Sequence, residues 1–191
     1  MPLETYTNIL KQNKYIYALT ILIVFYILSK LLVFISKKII LRLTKKTKTD
    51  IDDLIVKRIH KPISLILLFI GLRLALLPLG IKESILNPIE SAIISFIILI
   101  LTYIAIVVFD ILIDNWGKKV AEKTESKLDD QIIPMVHKFS RIFISAIGLL
   151  FVLPVWGVQI GPLLTSLGIA GVAVAFALQS TLGNIFGGMS I

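Results

Sequence analysis

The chain has 191 residues, of which 57% are hydrophobic, and carries a formal net charge of +8 at pH 7. Its mean hydropathy of +0.92 excludes an ordinary soluble domain. The absence of cysteine excludes disulfides and thiolate metal sites. Because the basic residues flank apolar runs, they fit a membrane protein better than one that binds nucleic acid.

Four apolar runs, each long enough to cross a bilayer, come first in the chain. They predict spans at about 15–35, 62–79, 92–113 and 142–158. The first run exceeds a signal-peptide core and has no small-residue cleavage site, so we expect it to be retained. We interpret Gly80 to Glu90 as a short turn, and Gln159 to Pro162 as the turn into the last stretch.

The charged segments predict the topology. Most of the 20 Lys and Arg residues follow the first and third spans, at Lys37–Lys61 and Lys118–Arg141. The positive-inside rule places both segments in the cytoplasm, the N-terminus outside and Ile191 inside. Residues 50–61 begin with aspartates and end with basic residues, the order that a helix dipole favours, so we expect a helix there.

An internal repeat organises the membrane region. The same 77-residue offset relates the Asp52-Asp53 pair to Asp129-Asp130, His60 to His137 and Gly71 to Gly148. We therefore divide the chain into a first membrane repeat (1–80), a second (81–158) and a final helix (159–191). Each repeat holds two spans, so the two copies have the same orientation, as in parallel repeats.

The last stretch is uncharged and rich in small residues, which allow helix backbones to approach closely. At about 100° per residue, its small residues fall on two nearly opposite faces. One face holds Gly168, Gly171 and Ala175, and the other holds Ser166, Ala170, Ala173 and Ala177. Two small-residue faces predict a close neighbour on each side, which closes into a ring when identical subunits repeat the contact.

Larger side chains form two strips between these faces. Leu167, Val174 and Leu178 make an apolar strip, and the other strip contains Thr165, Ile169, Val172, Phe176 and Gln179. The second strip, with polar groups at both ends, is the better candidate to line a pore. Rings of Val172 and Phe176 would form a hydrophobic constriction that stops ions by dewetting. The alternative is that Gly and Ala serve ordinary helix packing, as in many transmembrane helices.

The run from Leu167 to Gln179, followed by Thr181-Leu182-Gly183-Asn184 and Gly187-Gly188, resembles the pore helix of the small-conductance mechanosensitive channel (MscS) family. The resemblance implies seven subunits, a gate at Val172 and Phe176, and opening by membrane tension. It also assigns helix packing to Gly168, Gly171, Ala173 and Ala175. The wheel argument reaches the same gate residues.

The chain departs from the family pattern at three points. Ser180 stands where well-known members have a kink-forming glycine, so a bend at Ser180 is uncertain and could move to Gly183 or Gly187. Phe176 is bulkier than the usual leucine and narrows the ring. Because the chain stops at Ile191, inside the pore motif, we expect the family's cytoplasmic domain to be absent.

Few residues suggest other chemistry. His60 and His137 could sense pH, but we interpret them as repeated interfacial residues. The paired aspartates more readily start helices than bind a divalent ion, so no metal or cofactor is predicted. Arg73 is expected to snorkel outward and Asp110 to pair with Lys118 or meet water. With no nucleophile–base set or Walker loop, an enzyme is not expected.

These inferences predict an all-α integral membrane protein with five transmembrane helices: two tandem hairpin repeats plus a Gly/Ala-rich pore helix. We expect a homo-oligomer, homoheptameric if the resemblance holds, in the plasma membrane, whose partners are membrane lipids and ions. Its function would be a tension-gated channel that releases osmotic pressure. The alternatives are a small transporter with parallel repeats and a non-conducting truncated membrane module.

Overall fold

The computed structural model describes residues 13–43, 51–121 and 129–189. The described residues form five long α-helices. They are α1 (Lys14–Leu43), α2 (Ile51–Leu76), α3 (Glu83–Ala121), α4 (Asp129–Val152) and α5 (Gly161–Met189). Short 3-10 turns follow α2 at Leu77–Leu79 and α4 at Leu153–Trp156.

All five helices are long and apolar enough to cross a membrane. The corresponding stretches are Lys14–Ser36, Leu54–Leu79, Glu83–Gly117, Ile133–Trp156 and Gly161–Thr181. Few side chains in any of them are buried within the chain, so most of their apolar surface is available to lipid or to other subunits. The prediction of an all-α membrane protein with five spans is confirmed.

Two antiparallel hairpins, α1–α2 and α3–α4, follow the internal repeat. In the first, a Cβ added to Gly71 would overlap the side chain of Phe25 on α1. In the second, a Cβ added to Gly148 would overlap Thr102 on α3. Phe25 and Thr102 differ by the same 77 positions as the two glycines, so equivalent positions make a close helix contact in each hairpin.

The turns that end the two hairpins also correspond. Each second helix passes through a proline-containing 3-10 turn and ends at a glycine with positive φ, Gly80 at 63° and Gly157 at 78°. A left-handed backbone disfavours any residue with a Cβ, so both glycines are required by the turn. The division into residues 1–80, 81–158 and 159–191 remains a prediction that fits these paired features.

The hairpins join through α2 and α3. Ile59 on α2 packs with Val107 and Ile111 on α3 in a small buried cluster. Phe69 and Phe96 stack further along with ring centroids 5.5 Å apart. These contacts set α2 and α3 side by side and give the membrane region its order: α1, α2, α3 and α4.

Several predicted boundaries were wrong. Gly80 to Glu90 is not one turn, because α3 already begins at Glu83. Pro88 lies only in the second turn of α3, where its missing N–H removes one backbone hydrogen bond near the helix start. The helix that contains the fourth predicted span is longer than that span, since α4 starts at Asp129 and continues unbroken.

The predicted helix over residues 50–61 is correct for its described part. It forms the first turns of α2, with Asp52 and Asp53 in the first turn and the span following without a break. Asp129 and Asp130 likewise start α4. The N-terminal residues, part of each basic loop and Ile191 lie outside the described residues.

Candidate functional site

Helix α5 is a single unbroken helix of 29 residues, and its described side chains contact no other helix of the chain. Every residue from Gly161 to Thr181 is exposed. Across the described part of the chain, α5 packs against none of the other four helices. A helix this apolar with every side uncovered requires lipid or other subunits around it.

The glycines of α5 differ from those of the hairpins. A Cβ built on Gly168, Gly171, Gly183 or Gly187 would meet no atom within 4 Å. At Gly71 and Gly148 the same addition would collide with a neighbouring helix. The small residues of α5 therefore make no close approach inside one chain, and their packing role stays a prediction about contacts between chains.

The two strips of larger side chains lie on the same helix with equal exposure. Val172 in the predicted pore strip is 56% exposed, and Val174 in the opposite strip is 57% exposed. The two valines are about 160° apart around the helix axis. One chain alone therefore does not distinguish the strips, and the gate assignment remains a prediction.

A shallow groove runs along the predicted pore strip. Val172, Phe176 and Gln179 line it together with Ala175, which the helical wheel places on the neighbouring small-residue face. The structure thus brings Val172, Phe176 and Gln179 to one continuous surface. Ile169 and Thr165 continue the same strip towards the start of the helix.

The hydroxyl groups near the start of α5 are satisfied locally. Thr165 Oγ1 donates to the Gly161 carbonyl at 3.0 Å, and Ser166 Oγ donates to the Leu163 carbonyl at 2.8 Å. A hydroxyl that donates to its own helix can lie in an apolar environment without an unpaired donor. Both residues can therefore take the positions predicted for them, Thr165 towards the pore and Ser166 between helices.

The predicted kink positions all lie within helical backbone. Helix α5 continues through Ser180, Gly183 and Gly187 to Met189. A kink at any of the three stays a prediction.

A polar clamp holds the corner that leads into α5. The Trp156 indole Nε1–H donates to Ser95 Oγ at 2.9 Å, and Ser95 Oγ donates in turn to the Ser91 carbonyl at 2.7 Å. Ser91 Oγ donates to the Val155 carbonyl at 3.1 Å. These bonds fix the 3-10 turn between α4 and α5 against α3, so the start of α5 is attached to the second hairpin.

The structure also reveals a charged cluster between α3 and α4 that the sequence reading missed. Asp110, which is only 8% exposed, accepts hydrogen bonds from Arg141 Nε at 3.0 Å and from His137 Nδ1 at 2.6 Å. His137 Nε2 lies 2.8 Å from Asp114 Oδ1. Each ring nitrogen of His137 therefore faces a carboxylate oxygen of α3, and Arg141 lies against the same Asp110 carboxylate.

Asp110 therefore pairs with His137 and Arg141 on α4, which the sequence reading did not predict. The side chain of Lys118, its predicted partner, lies outside the described residues. Asp110 and Asp114 are four residues apart on α3, and His137 and Arg141 are four apart on α4, so each pair shares one helix face. That matched spacing was the signal available in the sequence. The fold turns these two faces towards each other.

His60 and Arg73, the remaining candidates from the sequence, make different contacts. His60 Nδ1 lies 3.1 Å from the Val56 carbonyl of its own helix, so the two histidines are equivalent in sequence but not in contacts. Arg73 lies 3.5 Å from Glu90 on α3 while staying about half exposed. Within the described ranges, no group of three or more His, Cys, Asp or Glu side chains is placed to hold a metal ion.

The fold defines a multi-pass membrane protein, and comparison with known proteins identifies its family. A family profile described as "Mechanosensitive ion channel, transmembrane helices 2/3" matches residues 138–179, which cover most of α4 and the gate region of α5. No solved structure matches the chain with significance.

Characterised and uncharacterised relatives agree with the profile. An "Uncharacterized MscS family protein" of Aquifex aeolicus is 34% identical over 93% of this chain and 48% of its own length. The "Small-conductance mechanosensitive channel MscMJ" of Methanocaldococcus jannaschii is 31% identical over 100% of this chain and 54% of its own. The "Large-conductance mechanosensitive channel MscMJLR" of the same organism is 27% identical over 93% of this chain and 49% of its own.

The chain belongs to the MscS family, as the pore-helix motif predicted. It spans about half the length of the curated relatives that it matches.

Proposed function

We propose that this chain is the membrane part of a mechanosensitive channel subunit, opened by membrane tension and serving to release osmotic pressure. Copies of α5 from identical chains, seven by the family resemblance, form a ring around the pore. Val172 and Phe176 form the gate, with Thr165, Ile169 and Gln179 lining the pore on either side. The small residues of the two packing faces form the contacts between neighbouring α5 helices.

The observation that carries this proposal is the exposure of every residue of α5 from Gly161 to Thr181. A helix that is covered by small or apolar side chains on all sides, and that contacts no other helix of its chain, gains stability by packing against lipid or other subunits. Its two faces of small residues, whose glycines meet nothing in the chain, suit two identical neighbours. Relatives named as small- and large-conductance mechanosensitive channels support the same assignment.

The gate works through the wetting of an apolar constriction. A narrow ring of valine and phenylalanine offers water no hydrogen bonds, so the constriction empties and ions cannot pass. Tension favours the state that occupies more membrane area. When the ring of α5 helices widens, the constriction refills with water and conducts.

The proposed topology follows from the basic segments. The N-terminus lies outside and the C-terminus in the cytoplasm, so that the segments after α1 and α3 face the cytoplasm. The two hairpins lie outside the ring in contact with lipids of the plasma membrane. The polar clamp between Trp156 and Ser95 then connects the hairpins to the start of α5.

The experiment is patch-clamp recording under graded suction on liposomes that contain the chain. Val172→Ser is compared with Val174→Ser, since both valines lie on α5 and are exposed to the same degree. A serine in the gate stabilises the wet state, so Val172→Ser should open at lower tension than the parent chain, and Phe176→Ser should do the same. Val174→Ser should leave the opening tension nearly unchanged.

Equal shifts in the two valine variants would exclude a gate on the Val172 strip. A lower opening tension in Val174→Ser alone would place the pore on the opposite strip. Tension-independent currents in the parent chain would contradict mechanosensitivity itself.

A further inference from the structure

A second groove lies between the two hairpins, on the surface where α2 meets α3. It has a volume of about 410 Å³, within the range of sites that hold small molecules. Its lining includes Arg58, Lys61 and Leu65 from α2, and Phe96, Leu99 and Tyr103 from α3. None of these residues belongs to the pore helix or to the charged cluster between α3 and α4.

The groove is polar at one end and apolar at the other. Arg58 and Lys61 precede Leu65 on α2, and Tyr103 follows Phe96 on the antiparallel α3. The polar residues of both helices therefore lie at the same end of the groove. Each wall, from Arg58 to Leu65 and from Tyr103 to Phe96, covers about 10 Å along its helix. The stack of Phe69 on Phe96 marks the apolar end.

This polarity matches the depth of the groove in a bilayer. Arg58 and Lys61 lie in the first two turns of the membrane-spanning stretch Leu54–Leu79, at the level of the lipid headgroups. Leu65 and Phe96 lie deeper, in the hydrocarbon region. A long amphipathic molecule therefore fits the groove with its polar end at the basic residues.

The charges of the groove are of one sign. No acidic side chain is among the described residues that line it. Two other arginines of the membrane region differ, because Arg73 on α2 lies beside Glu90 and Arg141 on α4 lies beside Asp110. Two cations without an acidic group in the same groove favour a ligand with a net negative charge.

We propose that the groove between α2 and α3 binds one anionic phospholipid. Arg58 offers a planar fork that suits two phosphate oxygens, and Lys61 supplies a second positive charge beside it. One acyl chain lies along Leu65, Leu99 and Phe96. The Tyr103 ring borders the groove at its polar end, a position common for tyrosine at membrane surfaces.

The test is native mass spectrometry of the chain in detergent with equal amounts of phosphatidylglycerol and phosphatidylcholine of identical acyl chains. The parent chain should retain phosphatidylglycerol in preference. Each Lys or Arg near an anionic lipid surface strengthens binding by about fivefold, so Arg58→Gln with Lys61→Gln should weaken retention by roughly 25-fold. Excess inorganic phosphate should not displace the lipid, because it cannot occupy the apolar end.

Two further variants distinguish binding in the groove from nonspecific electrostatic attraction of an anionic lipid to the basic surface. Lys57→Gln removes an exposed charge next to Arg58 that does not line the groove, and it should retain phosphatidylglycerol like the parent chain. Leu99→Trp fills the apolar end and should reduce retention several-fold while both cations remain. Loss in Lys57→Gln equal to that in the double variant, or equal retention of the two lipids, would overturn the proposal.

Full retention in Leu99→Trp would also overturn it, since the acyl chain would then lie elsewhere. The site is built from α2 and α3 of one chain and does not depend on a ring of α5 helices. A failure of the gating experiment therefore leaves this result unaffected, and the two proposals are tested separately.

Discussion

The contrast between Gly148 and Gly171 gives the sharpest test of where each helix packs. An alanine Cβ at Gly148 would lie 2.9 Å from Thr102 Cβ, an atom that no rotamer change can move. Helices α3 and α4 must therefore separate, and overpacking of this kind costs about 1–3 kcal/mol. At Gly171 the same Cβ meets no atom of the chain within 4 Å.

The expected change in stability on replacing glycine by alanine differs between Gly148 and Gly171. Replacing a helical glycine by alanine stabilises a helix by about 0.5–1 kcal/mol, because the unfolded chain loses conformational freedom. At Gly148 the cost of the collision exceeds or cancels this gain, so the hairpin should be less stable by up to about 2.5 kcal/mol. At Gly171 the gain remains, and the single chain should be slightly more stable.

The assay is unfolding of the monomeric chain in mixed micelles, followed by helical circular dichroism, with native mass spectrometry to count subunits. Gly148→Ala should lower the unfolding midpoint, and Gly171→Ala should maintain or raise it. Gly171→Leu should abolish the oligomer while leaving the monomer folded. A monomer destabilised by Gly171→Ala would refute the reasoning, because α5 would then have a partner within its own chain.

Two other predictions concern the polar contacts of the second hairpin. A double-mutant cycle of Asp110→Asn and His137→Gln should show an interaction energy of about 0.5–3 kcal/mol in the same unfolding assay, whereas independent effects would contradict the buried pair. Ser95→Ala leaves the Trp156 indole N–H without its acceptor and should cost about 1 kcal/mol, with faster hydrogen exchange at Leu153–Trp156. Ser29→Ala is its control, since Ser29 donates only within its own helix, and equal effects in both serine variants would argue against a clamp.

The overall architecture could be predicted from the sequence because each span is an independent signal. A long apolar run must be helical in a bilayer, where every backbone N–H and C=O has to be paired within the helix. The 77-residue repeat carried further information, since it relates Gly71 to Gly148 and Gly80 to Gly157, and the structure uses both pairs in equivalent ways. Helix ends were predicted less well, because a polar segment next to a span can continue the same helix. The residues between Asp129 and Ile142 are such a segment.

Contacts between helices were harder to predict than the helices themselves. The charged cluster depends on the rotation of α3 against α4, which brings Asp110 and Asp114 to face His137 and Arg141. The first repeat has Val33 and Lys37 at the positions equivalent to the two aspartates, so the repeat itself gave no hint of the cluster. Its residues lie near one end of their spans, away from mid-membrane, which disfavours the transport site that a small transporter would need there.

The two hairpins differ most at the points that bear on α5. The clamp uses Ser91, Ser95 and Trp156, while the first repeat has Lys14, Ala18 and Leu79 at the equivalent positions. The second hairpin thus combines a hydrogen-bonded turn after α4 with a charged contact near the other end of the α3–α4 pair. Because the turn at Leu153–Trp156 leads into α5, we expect a displacement of α3 and α4 to reach the start of the proposed pore helix.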